Sequence, residues 1–169
     1  MIKLENVKNI PQRRDYTCGP ASLRCLFHYY GVDVSEQELI DEGEIEEDGT
    51  SFKQMKYLAH KYDFSFYSKN NATLKDIENW LFKKNPVLVC FQAGPPNGLN
   101  GHYSVIVGID KKYIYLNDPS NYFDGDRHKF INDRKMEIDK FLKHWWDIDD
   151  QIVKNWFAVI KPRKERNKK

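Results

Sequence analysis

The stretch Gln12-Arg13-Arg14-Asp15-Tyr16-Thr17-Cys18-Gly19-Pro20-Ala21-Ser22-Leu23 sets a cysteine just ahead of a proline that suits the first turn of a helix. Leu23, Leu26, Phe27 and Tyr30 then recur at three- and four-residue steps, and Gly31 is placed to end the run. A helix is therefore predicted over Pro20 to Tyr30. The unpaired N–H groups and positive dipole end of such a helix favour thiolate over thiol, which makes Cys18 a candidate nucleophile near neutral pH. Cys25 inside the helix and Cys90 inside an apolar run lack that setting and read as packing thiols.

Working outward, further helices are predicted near Phe52 to Tyr62 and Leu74 to Lys84, then strands at Val87 to Gln92, Tyr103 to Ile109 and Tyr113 to Leu116. The polar turn Asp110 to Lys112 joins the last two as a hairpin. Arg134 to Trp146 reads as another helix and Trp156 to Ile160 as a closing strand. The order, helix-rich first and strand-rich later, is that of an α+β domain.

A nucleophilic thiolate needs an imidazole to carry its proton and a third group to orient the ring. Of the five histidines, His28 lies about 15 Å further along the Cys18 helix at 1.5 Å per residue. His60, His128 and His144 sit in polar or helix-end settings and read as surface residues. His102 opens the strand Tyr103 to Ile109 just after the glycine- and proline-rich loop Gly94 to Gly101, and strand ends beside loops build sites. In a hairpin turning near Asp110, His102 and Asp118 are equidistant from the turn, which brings a carboxylate to the imidazole within a register error of one or two residues. Gln12, in the polar segment leading to the sulfur, is a candidate donor for the negative oxygen of a tetrahedral intermediate, with the backbone N–H of Cys18 as the second. Taken singly, each of these residues has a bland reading: a packed thiol, a strand-end histidine, an Asp-Pro turn starter, a solvated glutamine.

Composition bounds the alternatives. With 169 residues, 40% of them apolar, the chain suits one ordinary domain with a core, and its net charge is +2. Six basic residues against Glu165 give residues 161–169 a net +5, which leaves −3 for residues 1–160. The expected organisation is thus a single domain over 1–160 followed by a basic, solvated, disordered tail over 161–169, with no nucleic-acid-binding face on the folded part. Nine carboxylates without a Lys or Arg run from Asp33 to Asp48. A short helix is expected there, capped by Ser35 with Glu38 in the capping-box position, and the acids read as a solvated face in preference to the sharper alternative, an acidic rim that attracts a basic peptide. No apolar stretch approaches the roughly 20 residues of a membrane span and no secretory signal is visible, so the expected location is the cytoplasm. Three cysteines make no disulfide framework, and Cys18 and Cys25 stand about 10 Å apart along a helix. Cys25 and His28 do not complete a four-ligand metal site, so neither metal nor cofactor is expected.

Gln12, the run Tyr16-Thr17-Cys18-Gly19-Pro20-Ala21-Ser22-Leu23, Tyr29-Tyr30-Gly31, Gly101-His102-Tyr103 leading into Val105 to Asp110, and Asn117-Asp118-Pro119 together resemble the bacteriocin-processing, double-glycine leader peptidases, which are papain-like cysteine peptidases. The resemblance implies a papain-like α+β fold, with the Cys helix packed on an antiparallel sheet that carries the His and Asp. It implies Cys18 as nucleophile, His102 as base and then acid, Asp118 as orienter and Gln12 in the oxyanion hole. It also implies a peptide or protein substrate and, in transporter-linked members, cleavage after a Gly-Gly pair. The transporter and ATPase parts of those members have no counterpart here, which marks a free-standing member. The leading expectation is a thiol hydrolase acting through a thioacyl-enzyme intermediate. A catalytically silent peptide-binding module of the same fold, acyl transfer to a small thiol peptide, and a scaffold with a polybasic tail stay open beside it.

Overall fold

Helix α1 (Cys18–Tyr29) starts two residues before Pro20, so the proline occupies the first turn, where a missing N–H costs nothing. Helices α2 (Glu36–Gly43), α3 (Phe52–Lys61) and α4 (Leu74–Phe82) each open on a complete capping box, Ser35 with Glu38, Ser51 with Gln54 and Thr73 with Asp76. A short α5 (Ile138–His144) follows late in the chain. This is a computed structural model that describes residues 1–93, 100–120 and 131–164.

The strands are β1 (Ile2–Lys3), β2 (Phe64–Lys69), β3 (Val87–Gln92), β4 (Gly101–Ile109), β5 (Tyr113–Asp118), β6 (Ile131–Glu137), β7 (Trp146–Ile148), β8 (Ile152–Lys154) and β9 (Phe157–Pro162). Seven form one antiparallel sheet in the order β2-β9-β3-β4-β5-β6, with β1 added against Gly108 and Ile109 of β4. β7 and β8 make a separate hairpin. Helices and antiparallel sheet together are the α+β, papain-like arrangement expected.

Hydrophobic burial on both faces explains why β3 is an unbroken apolar run rather than an alternating one. Leu88 and Cys90 face a core shared with Leu23, Leu26 and Phe27 of α1 and with Met55 and Leu58 of α3. Val87, Val89 and Phe91 face a second core with Ile77 and Leu81 of α4 and Phe141 of α5. Pinned by both layers, the β3–β4 pairing fixes the place of His102, opposite Phe91.

Two differences from the sequence reading have physical causes. Arg134 to Glu137 is strand rather than the start of a helix. Arg134 and Met136 point inward and Lys135 and Glu137 outward, but an inward arginine hides the alternation that marks a strand. The closing strand runs on to Pro162, because Lys161 and Pro162 pair with Ser65 and Phe64 of β2, so the basic segment begins inside the sheet. Residues 165–169, and residues 94–99 of the loop before His102, lie outside the described residues. Among the described residues, no helix is long and apolar enough to cross a membrane.

Candidate active site

Cys18 is the first residue of α1, and nothing in its own turn competes for the helix end. Thr17, at the cap, turns its hydroxyl back to the approach loop, donating to the Arg14 carbonyl at 2.9 Å and accepting from the Arg14 N–H at 3.1 Å. It makes no side-chain cap to the helix, and the first turn holds no acid. The N-terminal N–H groups therefore keep their positive field for the sulfur or for an oxygen bound beside it. Gly19 allows this end to approach the α2–α3 connection: a Cβ there would lie 2.7 Å from Thr50 Oγ1 and 2.8 Å from Thr50 Cβ.

The imidazole comes from the start of β4 and the carboxylate from the end of β5. His102 Nε2 lies 2.6 Å from Asp118 Oδ1, in a pair that is almost wholly buried. The register pairs Val105 with Asn117 and so sets Ser104, not His102, across from Asp118. The two side chains meet on the diagonal, within the one- or two-residue margin expected of the hairpin. Phe91 packs its ring edge-on to His102 at 5.5 Å.

Arg134 of β6 closes the row, its Nη1 donating to Asp118 Oδ2 at 2.8 Å with only 6% of the residue exposed. The Ser120 N–H donates to Asp118 Oδ1 at 3.1 Å, and Asn9 donates to the Asp118 carbonyl at 2.8 Å. Nothing in the sequence marked Arg134, because its residue type suits a helix surface as well as a buried ion pair.

Burial is the largest influence on the His102 ring and works against its charge. The charge and hydrogen bond of Asp118, together with the hydrogen bond and charge of Cys18, outweigh it and push His102 up to about 10. Cys18 is thus near enough to act on the ring that Asp118 holds. The other two thiols behave as packing: burial pushes Cys25 up to about 12 and holds Cys90 well above the ordinary thiol range. All three cysteines are free.

Gln12 is placed differently from the other three. Its backbone N–H donates to the Pro119 carbonyl at 3.1 Å, which ties the approach loop to the residue after Asp118. Its side-chain amide donates to the carbonyls of Arg14 at 2.8 Å and Asp15 at 3.2 Å. In this conformation Gln12 braces the turn that leads to Cys18 and does not aim its donors at the sulfur.

Cys18 and His102 lie on the wall of a groove of about 1030 Å³, bounded by Tyr16, the segment from Glu44 to Phe52, and the β7–β8 hairpin around Asp147. A groove of that size admits an extended peptide segment. Among the described residues, no group of histidines, cysteines and carboxylates could hold a metal ion.

Residues 4–153 match the model of the peptidase C39-like family. This chain belongs to that family. Its fold is similar to that of the peptidase domain of Streptococcus ComA, a bifunctional transporter of a quorum-sensing pathway, with TM-score 0.73 and 20% identity over 94% of this chain and all of that one. A double-glycine motif protease from an AMS/PCAT transporter, solved in complex with the leader peptide, matches at TM-score 0.66 and 21% identity over 94% of this chain and 93% of the other. An uncharacterized protein of Methanothermobacter thermautotrophicus is 29% identical over 66% of this C39-like chain and 70% of its own length. The family and fold are those of cysteine peptidases.

Proposed function

We propose that the chain hydrolyses a peptide or amide bond, with Cys18 as nucleophile, His102 as proton carrier and Asp118 as orienter. The observation that carries this reading is the buried 2.6 Å contact of His102 with Asp118 beside a thiol at a helix start, on the wall of a peptide-sized groove. The sulfur attacks the carbonyl carbon, forming the C–S bond while the carbonyl π electrons move to oxygen. The backbone N–H of Cys18 receives that oxyanion. Gln12 is the second donor once it releases the Arg14 and Asp15 carbonyls. Protonated His102 gives its proton to the leaving nitrogen as the C–N bond breaks, leaving a thioester. Water then attacks the thioester carbon, His102 takes the water's proton, and the thiolate leaves with the acid product.

Arg134 and Asp118 keep the ring where both transfers need it. A leader peptide ending in Gly-Gly is the first substrate to test, because the similar double-glycine protease was solved with a leader peptide bound. A reducing compartment such as the cytoplasm suits a working thiol.

Iodoacetamide labelling followed by peptide mapping tests the nucleophile. At pH 6 Cys18 is expected to react far faster than Cys25 or Cys90, with the preference lost in His102→Ala. A peptide library read by mass spectrometry should yield fragments with wild type and none with Cys18→Ala. Equal, slow labelling of all three thiols would remove the catalytic reading. Tight peptide retention without cleavage would move the chain to a binding role.

A further inference from the structure

The groove that holds Cys18 and His102 is one-signed. Glu44 and the run Glu46 to Asp48 line one wall, Asp147, Asp149 and Asp150 line the other, and no lysine or arginine joins them among the described lining residues. Among the described residues, none of these seven carboxylates forms an ion pair. A solvated acidic run explains the first wall alone. It does not explain why a second acidic segment, about a hundred residues away in the chain, is folded against the same cavity. The first wall adjoins Cys18 through the contact of Thr50 with Gly19, and the second adjoins His102 through Gly101.

Asp147 is built into its place rather than left at the rim. Its Oδ2 accepts from the Cys90 thiol at 2.8 Å and its Oδ1 from Gln92 Nε2 at 2.7 Å. Gly101, next to His102, leaves room for it, since a Cβ there would meet Asp147 Oδ1 at 2.7 Å. Both donors are neutral, so they orient the carboxylate without cancelling its charge. Burial pushes Asp147 above the usual carboxylate range; burial and then the charges of Asp150 and Asp147 do the same for Asp149. An oriented, partly buried carboxylate with no counter-charge is unfavourable until a cation meets it. The thiol and imidazole on the same wall are an independent sign that a substrate enters here.

We propose that the groove selects a peptide carrying lysine or arginine beside its scissile bond, with Asp147 as the carboxylate that anchors one of those side chains. The proposal rests on the peptidase reading and names its substrate class. The two acidic walls concentrate such peptides at the thiol and turn away acidic ones.

Two methanethiosulfonate reagents of opposite charge, one trimethylammonium and one sulfonate, test it without knowledge of the natural substrate. The Cys18 sulfur attacks the reagent's sulfenyl sulfur, a mixed disulfide forms and methanesulfinate leaves, and peptide mapping reads the rate at Cys18. With rates normalised to a small neutral thiol, the cationic reagent should win by on the order of tenfold at low ionic strength, and the ratio should shrink as salt is raised. It should also shrink in Asp147→Asn and in the triple variant Glu46→Gln, Glu47→Gln, Asp48→Asn, whose positions are exposed and outside the core. Matched Gly-Gly peptides should show KM rising from lysine-bearing to glutamate-bearing versions, with the gap narrowed in the same variants. A reactive Cys18 with no charge preference overturns this proposal and leaves the peptidase reading intact. A Cys18 inert to both reagents overturns the peptidase reading, and this proposal with it.

Discussion

At the scale of single residues, the informative unit is the row His102, Asp118, Arg134, drawn from the neighbouring strands β4, β5 and β6. A buried carboxylate between an imidazole and a guanidinium is held in one orientation by two directional bonds, one to each oxygen. Removing Arg134 leaves Asp118 buried beside a single cationic partner, so Arg134→Met should lower stability by about 3 kcal/mol in urea titration. The Asp118 charge then acts on His102 alone, and the alkaline limb of the pH–rate profile should move to higher pH, with Arg134→Lys returning it part of the way. An unchanged profile in a folded Arg134→Met protein would confine the residue to packing. The sequence showed His102 and Asp118 because a hairpin with a marked turn makes their distance a matter of counting. It did not show Arg134, whose partner is set by the β5–β6 register, and the chain between those strands carries no comparable turn signal.

Elements differ in how much of themselves they disclose. Three helices open on serine or threonine with a glutamate, glutamine or aspartate three residues later, a local hydrogen-bond pattern that needs no tertiary contact to be read. Strand β6 is the opposite case, since residues with fair helix propensity are recruited by pairing with β5, and tertiary burial overrides the local preference. The start of α1 lies between the two. Its proline and cysteine mark the place, but the closeness of the α2–α3 connection is a tertiary matter that rests on Gly19. Gly19→Ala should force Thr50 away, cost about 1–3 kcal/mol as an overpacked contact, and slow Cys18 alkylation by displacing the helix end. Adding Thr50→Gly should restore much of both losses, as measured by thermal melting and labelling rate. Labelling that stays at the wild-type rate in Gly19→Ala would show that the close contact does not position the sulfur.

For the whole molecule, the buried set links stability to pH. His102 is raised from an ordinary 6.5 to about 10 in the folded protein. Its stabilising contribution is therefore fully present below pH 6.5 and is lost as pH rises through about 10. Melting temperature should fall by several degrees between pH 6.5 and 9, at roughly 2–4 °C per kcal/mol for a chain of this size, and His102→Gln should flatten that slope. Above pH 9 the raised Cys25 and Cys90 thiols pull in the same direction, so the lower window isolates the histidine. A slope unaffected by His102→Gln would place the linkage elsewhere. The sequence by itself determined the starts of α2, α3 and α4, the central hairpin and the α+β class, and singled out Cys18, His102 and Asp118 as candidates, because capping, periodicity and turn spacing act over a few residues. Only the tertiary structure decided that Arg134 stands behind Asp118, that Gln12 braces the approach turn, and that acids near residues 46 and 148 face each other across one groove. Those outcomes depend on which distant segments the two cores press together, and no local pattern carries that information.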